Sequence, residues 1–340
     1  MSFLFLFNIE SYLSRVGSIS TILLHGLTIY LTVFQMKKLR GSYKHLLISF
    51  SAFCIFFAII EYWVHPFFHS YNGAMLYFLP EIAIGGSKTY QNIFLLQYAF
   101  GLISIISMFA VLFVCRYWSI QNSPKLKYLQ GYRLFLWITY SILSGVCASL
   151  CLLYFGEVDE FSLNYIKDNM IQNYEFDFEN MAVLAVVPYD VSSGDTEIRW
   201  FNCCYTVSLI FFYDFQCMIM VYYGIKSHRA MKSVLQHLSP ATQKLHRQFF
   251  KSLVIQVTSP ILTVYGPAFF VLVSPYFEWN IDFPSGIFLG SFSLYPPIDS
   301  IILMTVVTDY QYAIKRLWTA FPLNPSSAVH PLPSMETQNI

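Results

Sequence analysis

Seven apolar stretches, each long enough to cross a membrane, are the feature of this sequence that most limits its fold. A helix needs about 20 mainly apolar residues to cross about 30 Å of hydrocarbon. None of the seven shows the alternation of period two that a membrane β-barrel needs. The sequence therefore predicts an all-α bundle of seven transmembrane helices. The predicted spans are residues 16–36, 45–66, 92–118, 131–155, 200–224, 250–274 and 285–307.

The composition is typical of a membrane protein, whose chain is largely surrounded by lipid. Only 11% of the residues are charged and 56% are hydrophobic, whereas soluble domains carry roughly 25% charged residues. A net charge of +1 argues against a nucleic-acid partner, because such proteins carry a strongly basic patch. No phosphate-binding glycine loop, nucleophile elbow or zinc-protease motif occurs. We therefore expect no enzyme activity, no cofactor and no metal site.

The positions of lysine and arginine predict the orientation of the bundle. Basic loops resist translocation and stay in the cytoplasm. Of the 20 basic residues, only Arg15, Lys88, Lys167 and Arg199 fall on one side of the predicted spans. All the others fall on the opposite side. We therefore expect residues 1–15 to be extracellular and residues 308–340 to form a cytoplasmic tail.

The longest predicted loop, residues 156–199, is strongly acidic. Its basic residues are limited to Lys167 and Arg199. Two explanations are open. A translocated loop avoids basic residues in any case, and an acidic lid over a ligand entrance would have the same composition.

Three acidic residues lie inside the predicted spans, where an ionisable side chain costs several kcal/mol. They are Glu61, Asp214 and Asp299. A structural hydrogen bond and a ligand contact are both open for Glu61 and Asp214. Asp299 follows Pro296 and Pro297, which lack backbone donors and disturb the helix. We therefore expect Asp299 to be a switch residue rather than a ligand contact.

Small and polar residues recur at helical spacing in two spans, as they would on one face of a helix. Such a stripe forms either a helix-packing seam or the wall of a cavity. In span three the residues are Gln97, Gly101, Ser104 and Met108, and in span six Gln256, Pro260, Thr263 and Pro267. If the stripes line a cavity, a small and mostly apolar ligand would bind between spans two, three, five, six and seven. Its polar contacts would come from Glu61, Gln97, Ser104, Asn202, Asp214 and Thr263.

Several short motifs resemble those of the Str class of nematode seven-transmembrane chemoreceptors, and the resemblance covers nearly the whole chain. The matching segments are 41–46 before span two, 116–118 at the end of span three, 248–252 at the start of span six, 297–299 in span seven and 309–310 after it. Ser300 and Gln311 stand where the family usually has proline and arginine.

This resemblance implies a G-protein-coupled receptor in the plasma membrane of sensory cilia. Such a receptor would bind an odorant or another small environmental molecule and activate a heterotrimeric G protein. A receptor dimer is left open, and a multi-pass transporter or ligand-gated channel is the alternative function. The implied coupling and switch residues are Arg116, Tyr117, Pro296, Pro297, Asp299, Asp309 and Tyr310.

Overall fold

Helices make up most of the chain in the computed structural model, which describes residues 3–36, 42–79, 88–121, 123–174, 181–190, 195–233, 239–261, 266–277, 279 and 282–320. The helices are α1 (Phe3–Tyr30), α2 (Ser42–Trp63), α3 (Lys88–Ile120), α4 (Leu134–Phe155), α5 (Glu160–Tyr174), α6 (Trp200–Ser233), α7 (Pro240–Pro260), α8 (Gly266–Val273), α9 (Ile287–Val306) and α10 (Thr308–Ala320). The predicted all-α helix bundle is confirmed.

Among the described residues, five helices are long and apolar enough to cross a membrane. They contain α1, α2, α3, α4 and α6, which correspond to the first five predicted spans. The sixth predicted span holds the end of α7 and all of α8, with residues 262–265 outside the described residues. The seventh corresponds to α9, which keeps a helical backbone through Pro296 and Pro297.

The first helix begins at Phe3, well before the predicted start of its span at residue 16. Residues 3–15 are therefore part of α1 in the structure. Phe3 packs against the ring of His69, with centroids 5.7 Å apart, and Phe7 packs against Phe67 at 5.4 Å. These contacts hold the first turns of α1 against a small β-sheet.

This sheet caps one end of the bundle, which we call the sheet end. Its strands are β1 (Phe67–Tyr71), β2 (Ala74–Leu79), β3 (Ala182–Val186) and β6 (Asp282–Phe283), in the order β3-β2-β1-β6. A separate pair is formed by β4 (Tyr189–Asp190) and β5 (Glu197–Ile198). The sheet therefore joins three loops, those that follow the second, fourth and sixth spans.

The hairpin between β1 and β2 turns at Asn72 and Gly73, which have φ angles of 42° and 78°. Two positive φ angles are typical of the tight turn whose twist matches that of the strands, and Asn-Gly is the preferred pair. Side chains then alternate between the two faces of the sheet. Leu76 and Phe78 pack with α5, while Met75 and Tyr77 pack with the helix bundle.

Candidate functional site

An apolar cavity lies under the sheet, inside the bundle. Its volume is about 110 Å³, and an apolar cavity of about 150 Å³ in another protein holds benzene. The hairpin contributes Phe68 and Tyr77, α3 contributes Ile103, α6 contributes Leu209, and α9 contributes Phe292. A compact, mostly apolar molecule up to about the size of a benzene ring would fit.

Tyrosine hydroxyls give this cavity a few polar groups. The Tyr77 hydroxyl donates to the Leu95 carbonyl at 3.1 Å, and the Tyr98 hydroxyl lies beside the Glu61 carboxyl. Tyr205 lines the cavity close to Tyr77. These hydroxyls belong to the tyrosine side chains of an otherwise almost entirely apolar lining.

The predicted small and polar stripe of α3 turns out to be a packing seam. A Cβ atom at Gly101 would collide with the Phe57 ring of α2. Ser104 lies against Gly145 of α4, where a Cβ atom would collide with its hydroxyl oxygen. The cavity is lined instead by the adjacent face of α3, with residues Tyr98, Ala99, Leu102, Ile103 and Ile106. Gln97 and Ser104 are therefore not among the cavity-lining residues.

Three other predicted ligand contacts, Glu61, Asn202 and Asp214, are also absent from the described cavity lining. Asn202 ties α6 to the end of β3, because its Oδ1 accepts from the Val187 N–H at 2.5 Å and its Nδ2 donates to the Ala185 carbonyl at 3.0 Å. Asp214 is exposed on the surface of α6. Thr263 lies outside the described residues.

A buried histidine holds the three loops of the sheet end together. His69 of β1 approaches Asn169 of α5 at 3.0 Å and Asp282 of β6 at 3.3 Å through Nε2. Its Nδ1 lies 3.1 Å from the Tyr174 hydroxyl. Burial lowers the pKa of His69 to about 4 although Asp282 opposes the shift, so the ring is neutral at pH 7. Nε2–H then donates and Nδ1 accepts from Tyr174.

An open crevice of about 780 Å³ lies at the opposite end of the bundle. Arg116 at the end of α3 is buried in its wall, with 3% exposed. The guanidinium donates to the His246 carbonyl of α7 and lies 5.6 Å and 5.8 Å from the ring centroids of Tyr43 and Phe249. Arg116 therefore joins α3 to α7, and the rings supply cation–π contacts.

Of the other predicted coupling residues, Asp309 reaches this crevice, and Tyr117 and Tyr310 contact neighbouring helices. Asp309 of α10 lines the crevice. Tyr310 is fully buried, and its hydroxyl pairs with Thr32 in the π-helical turn (Leu31–Gln35) that continues α1. The Tyr117 ring packs at a tilt against Tyr223 of α6, with ring centroids 5.6 Å apart. The structure thus brings Arg116 and Asp309 to one crevice, with Tyr117 and Tyr310 in contact with neighbouring helices.

Asp299 is buried in the interior between α7 and α9. The Tyr295 hydroxyl lies 3.4 Å from its Oδ1, and Gln256 Nε2 donates to its backbone carbonyl at 3.3 Å. Ser252 donates to Gln256 Oε1 at 3.3 Å, which extends the network along α7. Asp299 therefore lies in a chain of hydrogen bonds between two helices, away from the cavity lining.

The two prolines of α9 bring this helix close to α1. Pro297 has no N–H, so the Ser293 carbonyl loses its usual helical partner. Gly17 of α1 packs directly against that carbonyl, where a Cβ atom would collide. One turn further along α9, the Pro296 carbonyl accepts a hydrogen bond from His25 Nε2 of α1 at 3.0 Å. Thr28 then donates to the Ser300 hydroxyl at 3.3 Å.

These contacts belong to a buried polar stripe on α1 and on the π-helical turn that follows it (Leu31–Gln35), which we did not predict from the sequence. Its members recur at helical spacing and each is at most 2% exposed. The signal was present in the sequence, because polar residues at this spacing in an apolar span mark an interior face. The stripe consists of Glu10, Ser14, Ser18, Thr21, His25, Thr28 and Thr32.

The helix bundle identifies the fold. The crystal structure of squid rhodopsin has a similar fold, with a TM-score of 0.55 over 94% of this chain and 88% of that chain. At 11% identity this likeness shows the fold alone, that of a rhodopsin-like helix bundle.

The sequence comparisons identify the family. The profile described as "Serpentine type 7TM GPCR chemoreceptor Str" matches residues 10–315, and the chain therefore belongs to the Str family of chemoreceptors. It is 32% identical to "G-protein coupled receptor str-33" of Caenorhabditis elegans over 90% of both chains. It is 26% identical to "Serpentine receptor class r-10" of the same organism, over 81% of this chain and 80% of the relative.

This membership confirms the resemblance that the motifs indicated. The chain is a multi-pass membrane protein of a nematode chemoreceptor family whose members are receptors rather than enzymes. The family also favours a receptor over the transporter or channel that was the alternative function.

Proposed function

We propose that this chain binds a small, mostly apolar environmental molecule in the cavity under the sheet and then activates a heterotrimeric G protein at the Arg116 crevice. The observation that carries the proposal is the cavity itself. Its lining is almost entirely apolar, and its volume is about 110 Å³. Ligand sites are typically apolar with a few placed polar groups, and the tyrosine hydroxyls supply these.

The proposed orientation places the sheet end outside the cell. Arg116 and Lys244 line the crevice, in agreement with the excess of basic residues expected on the cytoplasmic side. The ligand would then meet the sheet end first, and the crevice would face the G protein. An epitope before Asn8 is expected to stain intact cells, whereas one after Pro331 should require permeabilisation.

Signal transfer needs two states of the bundle, and the ligand must bind one of them more tightly. The joint between α3 and α7 at Arg116 closes one side of the crevice in this structure. The hydrogen bonds of Asp299 join the same α7 to α9. We propose that ligand binding rearranges the Asp299 network and releases the Arg116 joint. Asp299 then acts as a switch residue, as its position after two prolines led us to expect.

The location in the cell follows from the proposed function. A receptor for environmental molecules must be exposed to the surroundings, so we propose that the chain resides in the plasma membrane of sensory cilia. Whether it works alone or as a dimer does not enter the mechanism, because the cavity and the crevice are both built within one chain.

The test is to express the full chain in cells and apply a panel of small apolar molecules that each carry one or two hydrogen-bonding groups. We expect at least one to raise a second-messenger signal that depends on the G protein, without evoking a membrane current. A current that persists when G proteins are blocked would support a channel instead. A response only to highly charged molecules or peptides would exclude the apolar cavity as the ligand site.

A further inference from the structure

Two buried carboxyl groups face α9 inside the bundle, near the sheet end. Glu10 belongs to α1 and Glu61 to α2, and each is only 2% exposed. Glu10 packs against Gly290 of α9, and Glu61 accepts from Ser293 one turn further along the same helix. The charge of Glu61 also acts on Glu10, and α9 closes the third side of this space.

The surroundings of the pair supply oxygen atoms. Ser293 of α9 donates its hydroxyl hydrogen to Glu61 Oε1, and the hydroxyls of Ser14 and Tyr98 lie beside the same carboxyl. Glu10 Oε2 is fully buried and has no hydrogen-bond partner among the described residues. A buried carboxylate oxygen without a partner is costly, so this atom indicates a missing ligand.

The basic side chains nearby do not neutralise the pair. Arg15 Nε donates to His65 Nε2 at 3.3 Å, which leaves that ring nitrogen as an acceptor. His65 Nδ1 then carries the hydrogen and donates to Ser14 Oγ at 3.2 Å. His65 is therefore neutral in this arrangement. Within the described ranges, neither Glu10 nor Glu61 forms an ion pair.

Two adjacent carboxylates in a poorly solvated site cannot both remain ionised without a compensating positive charge. The available ligand atoms are all oxygens, from carboxylates and hydroxyls. Such a donor set suits a hard cation. One carboxyl of such a pair can keep its proton, and a single monovalent cation then balances the charge of the other.

We propose that Glu10 and Glu61 bind a sodium ion, with the hydroxyl oxygens of Ser14 and Ser293 completing its ligands. The ion would join α1, α2 and α9. Because Tyr98 reaches both the Glu61 carboxyl and the apolar cavity, the occupied site is next to the proposed ligand. The cation site stands independently of the proposed function, since it depends on neither a ligand nor a G protein.

The test is a thermal unfolding series on the purified full-length receptor in lipid nanodiscs. Sodium chloride is compared with N-methyl-D-glucamine chloride at equal ionic strength and pH 7.5. We expect sodium to raise Tm by about 2 °C or more in a saturable way. Lithium, potassium and calcium salts serve as further probes on the wild-type chain.

Two neutral variants of the same shape locate the effect. Glu10→Gln and Glu61→Gln should each lose the response to sodium. In sodium-free buffer they should be at least as stable as the wild type, because the repulsion between the two acids is gone. Asp214→Asn is the matched control, since Asp214 is exposed on α6, and it should keep the full response.

Each of the other outcomes would overturn the sodium site. One such outcome is a wild-type Tm that does not change with sodium but changes with pH, together with no pH dependence in either glutamine variant. It would mean that the pair shares a proton. Specific stabilisation by calcium would mean a divalent site. If a glutamine variant does not fold, the wild-type series decides alone, because an equal response to every salt excludes specific binding. None of these outcomes would affect the proposed receptor function.

Discussion

Filling the apolar cavity is the change that tests the proposed ligand site with the least effect on the rest of the bundle. Ala99 lies on the cavity-lining face of α3 and is 7% exposed. Replacing it with leucine adds three carbon atoms to the wall of a cavity of about 110 Å³. The added side chain competes directly with ligand carbons for that volume.

The loss in ligand affinity can be worked out from this displacement. Each buried methylene group contributes about 0.8 kcal/mol to the transfer from water. Excluding three ligand carbons therefore costs about 2.4 kcal/mol, which corresponds to a roughly 50-fold weaker affinity. The receptor should fold normally, because the leucine fills empty space and adds no polar atom.

The assay is the concentration–response curve of an agonist from the compound panel, with surface expression measured on the same cells. Ala99→Leu should move the curve to about 50-fold higher concentration. Ala52→Leu is the matched control, since Ala52 is exposed on α2, and it should leave the curve in place. Unchanged potency of Ala99→Leu at a normal surface level would refute a ligand site in this cavity.

Three further changes test other parts of the mechanism and the fold. Arg116→Ala removes the joint between α3 and α7 and should raise basal G-protein activity, whereas Arg133→Ala, at a half-buried position before α4, should not; basal second-messenger levels at matched surface expression measure this. Asp299→Asn should alter basal activity or signal amplitude while ligand affinity stays within about threefold, and abolished binding at a normal surface level would place Asp299 in the ligand site. The pKa of His69 is lowered to about 4 from an unfolded value of about 6.5, so its contribution is full above pH 6.5 and is lost as the pH falls toward 4. That loss is at most about 3 kcal/mol, and in unfolding experiments His69→Gln should show a weaker loss of Tm over this range than the wild type.

The helix bundle could be predicted because a membrane span depends on length and hydrophobicity, which are local properties. The start of α1 could not be predicted in this way. Asn8, Glu10 and Arg15 suggested a segment outside the span, but the structure buries Glu10 against Gly290 of α9. A partner from another helix changes the cost of burying a charge, and the sequence of one helix does not contain that partner.

The sheet end was only partly accessible from the sequence. Asn72 and Gly73 form a strong hairpin signal, but β1 and β2 do not alternate between polar and apolar residues. The pairing of β2 with β3 and of β1 with β6 joins loops that are far apart in sequence. No local pattern specifies such partners, so the sheet over the cavity could not be derived.

The candidate site shows why polar residues were poor guides to the cavity. A polar side chain in a buried position is held by a partner, and the partner of Asn202 is the backbone at the end of β3. Small residues such as Gly101 allow helices to approach closely. The cavity is lined by residues next to the small and polar stripe of α3, including Tyr98 and Ala99. Because their apolar character is similar to that of any lipid-facing residue, the sequence did not mark them as cavity-lining.

Guanine nucleotide exchange with purified components tests the proposed link between the cavity and the G protein without the other proteins of a cell. The receptor is placed in lipid nanodiscs with a heterotrimeric G protein, and exchange is followed with and without an agonist from the panel. We predict that the agonist accelerates exchange on the wild type, and that Ala99→Leu needs about 50-fold more agonist for the same rate. An agonist that binds the wild type without changing the exchange rate, or that acts equally on Ala99→Leu, would contradict the proposed mechanism.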